Sequence, residues 1–506
     1  MTIVNSLFTW IMKKRIHQIE LFIKYPHDVQ AEWFQNLISA AQHTEWGKKY
    51  EYSTISTPEQ FKERVPIQSY DTLKPYIERM MKGENNLLWP SEIKWFAKSS
   101  GTTSDRSKFI PVSEESLEEC HYKGGKDLLS IYCNNRPDAQ IFTGKCLVLG
   151  GSHQINPLNN ESSYGDLSAV ILKNLPIWAE YLRTPDLSIT LLDNFEEKIE
   201  KTAHAIIDVN VTNMSGVPTW FIVLAKRVLE ITGKNNLLEV WPNLELYFHG
   251  AVSFKPYREQ FNKLIPSDTM YYLETYNASE GFFGIQDLPK SEEMLLMLDY
   301  GIYYEFLPLE KLYDENPKTL GLHEVELNKN YALIISTNGG LWRYMIGDTV
   351  KFTSLSPYRI QITGRTKHFI NAFGEEVIID NAEQALTKAC SETNAIIRDY
   401  TACPIYFKDN EAGGHEWIIE FENPPANIEQ FTDILDSTLR EVNSDYDAKR
   451  FKDMALKRPL LHIAPQGTFY TWMKNRGKLG GQNKVPRLAN DRLYVEEILA
   501  LMNTKQ

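Results

Sequence analysis

The sequence predicts an α/β fold in two domains. A large N-terminal domain of mixed or parallel sheets flanked by helices is expected over residues 1–364, and a small α+β domain over residues 365–506. Three observations carry this. A chain of 506 residues exceeds what one hydrophobic core ordinarily organises, so it divides. Short apolar runs of strand length alternate with longer stretches of helical period, the pattern of a sheet covered by helices. Around Gly364-Arg365-Thr366-Lys367 the pattern changes character, and the rest of the chain is long enough for a separate small domain.

Residues 3–82 read as helical, with apolar side chains three and four apart, as in Trp33, Phe34, Leu37, Ile38 and Ala41. Thr57-Pro58-Glu59-Gln60 is a helix start, with proline in the first turn and an acid behind it. At residues 93–98 (IKWFAK) the period changes to that of a strand, which runs into a Ser/Thr/Gly-rich loop. Further strands are expected at 146–149, 244–248, 271–273 and 332–336, with helices between them at 220–231 and 256–264. Beyond the junction, helices are expected at 381–389 and 428–442 and a strand at 416–421. No internal repeat or low-complexity segment is evident.

Composition narrows the function. Apolar residues at 42% and charged residues at 24% are those of a soluble globular protein. A formal net charge of −12 argues against a nucleic-acid-binding surface, which needs clustered Lys and Arg. An anionic substrate must then be held by local donors. The five cysteines, Cys120, Cys133, Cys146, Cys390 and Cys403, form no C-x-x-C pair and suit a reducing cytoplasm. The apolar stretch near residue 10 is too short to span a bilayer, and its basic cluster Lys13-Lys14-Arg15 comes after it. It reads as an amphipathic helix packed on the body, with membrane-surface association the lesser alternative and no insertion.

The stretch AKSSGTTSDRSKF is the most informative. Small hydroxyl residues around a glycine let the backbone turn tightly and aim N–H groups at an anion. Ser99, Ser100, Thr102 and Thr103 add hydroxyl donors beside Gly101, and Lys108 adds a positive charge. The competing reading is a solvent-exposed Ser/Thr-rich turn. The chain contains no G-x-x-x-x-G-K-[ST], no G-x-G-x-x-G and no G-x-S-x-G, which removes the main support for P-loop, dinucleotide-binding and serine-hydrolase readings.

SSGTTSDRSK, ETYNASEGFFGI, WRYMIGD, GRTKHFINAFGEEVI and, near the end, GQNKVPR occur in that order. The series resembles the auxin-responsive acyl-acid-amido synthetase family, a branch of the adenylate-forming superfamily. The likeness extends to the helical region HTEWGKKYEYSTISTPEQFKERVPIQSYDTLKPYIERMMKGE and to FYTWMKNRGKLGGQNKVPR, and so covers almost the whole chain. It implies an adenylate-forming N-terminal domain and a mobile C-terminal one. The implied reaction makes an acyl-AMP from a carboxylic acid and Mg²⁺·ATP, then transfers the acyl group to an amino acid.

Carried over by position, the resemblance gives roles to single residues. Ser99, Ser100, Gly101, Thr102, Thr103 and Lys108 would hold the β- and γ-phosphates. Gly250 and Ala251 would approach adenine; Tyr276, Asn277, Ala278 and Ser279 would line the nucleotide; Glu280 would contact Mg²⁺. WRYMIGD would end in a glycine turn presenting Asp348 to the ribose, and Arg365 would join the ribose or phosphate contacts. Lys367 would be the hinge, with a basic surface turn as the alternative. Lys484 would be the lysine brought between acyl carboxylate and α-phosphate, where a surface lysine is the default for any single position. The acyl pocket would draw on Met214, Val217 and Thr219 of MSGVPTW and on Tyr344, although MSGVPTW also suits an ordinary helix start. The rivals are an acyl-CoA ligase with a thiol acceptor and a nucleotide-binding relative without activity.

Overall fold

The computed structural model describes residues 3–99, 108–150, 155–159, 162–192, 194–250, 254, 257–312, 314–366, 369–375, 377–407, 412–450, 453, 455–476 and 485–503. Ser100, Gly101, Thr102, Thr103, Ala251, Lys367 and Lys484 lie outside these, as does the side chain of Thr219. The described residues form two compact units, one of residues 3–99, 108–250 and 261–366, the other of residues 254, 257–260 and 369–503.

The first unit is built on an eleven-stranded sheet, counted among the described residues. In spatial order its strands are Ile302–Pro308, Asn330–Thr337, Tyr344–Leu355, Tyr358–Arg365, Met294–Leu296, Gly281–Ile285, Tyr271–Ala278, Leu246–Gly250, Val211–Gly216, Lys145–Leu149 and Arg183–Thr184. The last five pair in parallel and the rest antiparallel. The parallel half is joined by helices such as Pro218–Thr232, which has proline in its first turn and Gly233 in the left-handed region at its end. The antiparallel half is two runs of consecutive strands, joined where Met294–Leu296 pairs with Tyr358–Arg365. A second sheet sets Lys108–Val112 at one edge, then Trp95–Ser99, Ser163–Gly165 and Asn156–Pro157.

The helices of residues 3–80 pack on this body, with Phe34, Trp46, Tyr52, Phe61 and Trp342 buried in the common core. Thr57 starts its helix as its sequence suggests: the hydroxyl accepts the Gln60 N–H at 3.3 Å, and the Gln60 side chain accepts the Ser56 N–H at 2.9 Å.

The second unit has a three-stranded sheet of Ile396–Ile405, Gly414–Asn423 and Leu460–Ala464, with helices Ile379–Thr393 and Ile428–Val442. Within it the Glu375 carboxylate accepts from His415 at 2.8 Å and from the backbone N–H groups of Ala372 and Phe373. No described helix is long and apolar enough to cross a membrane.

Candidate active site

The base of the Ser/Thr/Gly-rich loop is a strand pair. Ser99 ends one strand and faces Lys108, which opens the next, across an antiparallel ladder. Lys108 is buried, and its ammonium lies 5.9 Å from the centre of the Tyr70 ring. The Tyr70 hydroxyl accepts the Phe109 N–H at 2.8 Å.

Tyr271–Ala278 and Gly281–Ile285 form a hairpin whose two-residue turn is Ser279-Glu280. The turn leaves Glu280 half-buried, and loss of hydration pushes its carboxyl above the ordinary value; the charge of Lys108 opposes this and that of Asp348 adds to it. Tyr276, on the same hairpin, donates its hydroxyl proton to one oxygen of Asp348 at 2.5 Å. Burial, then the Asp348 charge, raises the Tyr276 pKa well above 10.0, so it remains a donor. Arg365 donates to the other oxygen at 2.5 Å, and the two residues are register partners on adjacent strands.

Asp348 sits inside the strand Tyr344–Leu355, where the sequence suggests a glycine turn. The ladder slips by two residues between the Ile334–Met345 and Ala332–Thr349 pairs, and Gly347 within the slip has φ +101°. This bulge turns Asp348 toward Tyr276 without ending the strand. Tyr344 is fully buried, and its hydroxyl has no hydrogen-bond partner among the described residues; Glu280, Tyr70, Arg365 and Asp348 are all within electrostatic reach of it.

The structure therefore brings together Ser99 with Lys108, Lys108 with Glu280, and Glu280 with Tyr276, Asp348, Arg365 and Tyr344. Gly250 ends its strand beside Thr275, where a Cβ would come within 2.6 Å of the Thr275 carbonyl oxygen, so only glycine fits. Ala278 pairs with Gly281 at the neck of the hairpin. Met214 lies buried in its strand between Leu147 and Tyr247, and Val217 is the residue before the helix that starts at Pro218.

Two neighbours escape the sequence reading. Tyr70 belongs to VPIQSYD, a stretch with no chemical signature of its own. His121 lies on a π-helical turn, Leu117–Tyr122, and its Nδ1 is 3.2 Å from the Asn277 Oδ1. Burial lowers its pKa to about 4, so the imidazole is neutral near pH 7. A π turn in this place is the available signal, and periodicity does not reveal one.

Among the described residues no group of three or more His, Cys, Asp or Glu could hold a metal ion. Glu280 offers one carboxylate, while both oxygens of Asp348 are already engaged. That donor set fits Mg²⁺ held mainly by phosphate oxygens and water, and does not suit a protein cage.

Three family models match in order: the GH3 family N-terminal domain over residues 15–270, the central domain over 295–365 and the C-terminal domain over 380–493. This chain belongs to the GH3 family. Among its relatives is the indole-3-acetic acid-amido synthetase GH3.3 of Arabidopsis thaliana, 22% identical over 94% of this chain and 91% of the relative. Another is the jasmonoyl--L-amino acid synthetase JAR4 of Nicotiana attenuata, 24% identical over 93% and 92%. The solved structure of a GH3.15 acyl acid amido synthetase superposes with a TM-score of 0.61 and 17% identity, covering 96% of both chains. The relatives are named as amido synthetases, and the fold here is that of the GH3.15 acyl acid amido synthetase.

Proposed function

We propose that this chain activates a carboxylic acid as acyl-AMP and passes the acyl group to the amine of an amino acid. The observation that carries the proposal is the Tyr276–Asp348–Arg365 arrangement facing Glu280 and Lys108 at the root of the Ser/Thr/Gly loop. A carboxylate oriented by a tyrosine and an arginine suits the two hydroxyls of a ribose. A glutamate and a lysine beside it suit a metal-bound polyphosphate.

In this reading Ser99 to Thr103 and Lys108 hold the β- and γ-phosphates, Gly250 and Ala251 approach adenine, and Tyr276 to Ser279 line the nucleotide. Asp348 takes the ribose, with Arg365 beside it, and Glu280 would hold Mg²⁺. Bound there, the ion would neutralise phosphate charge and orient the leaving pyrophosphate. The acyl carboxylate attacks the α-phosphorus in line, and the protein's part is positioning and charge stabilisation. Lys484 neutralises the charge that builds between carboxylate and α-phosphate. The amine then attacks the acyl carbon, forming the amide and releasing AMP. Met214, Val217, Thr219 and Tyr344 contribute to the acyl pocket. Lys367 is the hinge of a C-terminal domain spanning 365–506, and the enzyme works in the cytoplasm.

A mass-spectrometric screen of acids and amino acids with Mg²⁺·ATP tests the proposal. An acid–amino acid conjugate with release of AMP is expected, and formation of a CoA thioester alone would defeat it. Lys484→Ala should slow ATP–pyrophosphate exchange by at least about a hundredfold; exchange near the wild-type rate removes Lys484 from the mechanism.

A further inference from the structure

The helix Ile3–Lys14 is docked with part of its polar side inward. Asn5 is fully buried: its Nδ2 donates to the Ala139 carbonyl at 2.9 Å, and its Oδ1 accepts the Phe142 N–H at 3.2 Å. Thr9 and Met12 are buried beside it, and Phe8 stacks on Phe142 at 5.2 Å. Leu7, Trp10 and Ile11 consequently face solvent. The same spacing continues into the next helix, Ile16–Lys24, and its end, where Leu21 and Tyr25 are exposed. These five side chains are each 44–58% exposed.

Cations accompany the apolar stripe. The Lys14 ammonium lies 3.5 Å over the Trp10 ring, and Lys24 lies 5.2 Å from the centre of the Tyr25 ring. Residues 3–25 hold four cations (Lys13, Lys14, Arg15, Lys24) and one acid (Glu20), in a chain whose net charge is −12. Arg15 is committed to Asp127 by two bonds of 2.7 and 2.8 Å. Among the described residues no carboxylate pairs with Lys13, Lys14 or Lys24.

We propose that this stripe is a docking surface for an anionic lipid membrane, on which the enzyme sits reversibly without inserting a span. An aromatic and aliphatic stripe rimmed by lysines matches the boundary between acyl chains and negative headgroups: Leu7, Trp10 and Ile11 enter the apolar layer while the lysine heads stay at phosphate level. Charge decides against a second copy as the occupant. Self-pairing of this stripe would bring the lysine rim of one copy against that of the other, whereas anionic headgroups neutralise it. The surface is small, so binding is weak and salt-sensitive. The proposal does not depend on which acid or amine the enzyme joins.

Co-sedimentation of the full-length protein with extruded vesicles tests it. Binding to phosphatidylcholine vesicles containing roughly 30 mol% phosphatidylserine is expected at about 0.05 M salt, and little at about 0.5 M or with phosphatidylcholine alone. Lys14→Ala should weaken partitioning about fivefold. Trp10→Ser should weaken it at least as much, with the melting temperature and pyrophosphate exchange in solution unchanged. Lys234→Ala, at an exposed site elsewhere, should bind like wild type. Absence of binding to either vesicle overturns the proposal, as does equal binding by wild type and Trp10→Ser. A concentration-dependent dimer abolished by Trp10→Ser, without vesicle binding, would assign the stripe to a second copy.

Discussion

Two arginine–carboxylate pairs stand at either end of one short stretch of chain, and they do different work. Arg343 precedes the strand Tyr344–Leu355 and meets Glu305; Arg365 ends the neighbouring strand and meets Asp348. The first pair is sealed. Both side chains are nearly inaccessible. Arg343 bonds Glu305 and also the Lys62 and Val65 carbonyls and the Thr319 hydroxyl, and Thr319 in turn donates to Glu305 at 2.5 Å. A buried ion pair is tolerable when its remaining donors and acceptors are satisfied in this way. The second pair is 21% and 13% exposed and faces Glu280, whose carboxyl burial leaves reluctant to ionise. A saturated pair holds a fold together, whereas a partly open one beside a perturbed acid can bind a polar ligand.

Removing one member of each pair should separate these roles. Arg343→Ala leaves Glu305 charged and buried without its main partner. It should cost about 3–5 kcal/mol, read as a lowered urea midpoint, with residual activity tracking the folded fraction. Asp348→Asn keeps an acceptor in a partly open pair and should destabilise clearly less than Arg343→Ala, yet lose the charge-assisted bonds proposed to the ribose. Such bonds are worth about 1.5–3 kcal/mol, so kcat/KM for ATP should fall by roughly 10- to 150-fold. If Asp348→Asn instead destabilises the fold as much as Arg343→Ala, the distinction between the pairs collapses.

Glu280 sharpens the comparison through pH. Its folded-state pKa lies above the ordinary 4.5, so the folded protein binds this proton more tightly than the unfolded chain does. The stability contribution is therefore greatest below the ordinary carboxylate range and declines as pH rises through the raised pKa. The proposed reaction has the opposite requirement, since only the carboxylate would hold Mg²⁺. Glu280→Gln should then raise the melting temperature at neutral pH while abolishing most adenylation. In wild type, the acid limb of kcat/KM should lie above the ordinary carboxylate range. A destabilised Glu280→Gln would contradict this.

Periodicity reveals the scaffold better than it reveals the site. The helix Ile428–Val442 is legible to the residue because its apolar side chains recur at helical spacing. The strand Tyr271–Ala278 is legible only over its apolar start, 271–273, although its polar second half carries Tyr276 and Asn277. Gly347 suggests a turn, since a single sequence cannot tell a bulge from a strand end. The pairing of Asp348 with Arg365 depends on register between strands, which no local pattern encodes. Motif order supplies the residues of the site, and the antiparallel half of the large sheet supplies their geometry.

The smallest effect is expected at Tyr70, and it concerns how the proposed phosphate loop is rooted. Lys108–Val112 is the edge strand of its sheet, so one row of its backbone groups has no neighbouring strand to bond. The Tyr70 hydroxyl accepts one of those donors, the Phe109 N–H, while its ring lies beneath the Lys108 ammonium. Tyr70→Phe keeps the ring and deletes the acceptor, leaving a part-buried N–H unbonded. It should lower stability by about 1 kcal/mol. If the bond only seals an edge, KM for ATP should not change. If it fixes the strand that carries Lys108, KM for ATP should rise about threefold while KM for the acyl acid stays constant, because a slight displacement of the lysine weakens only the phosphate contacts. The second outcome is expected, since the acceptor and the cation-facing ring belong to one side chain and Lys108 immediately precedes the bonded N–H. Tyr70→Leu, which also removes the ring, should then raise KM for ATP further.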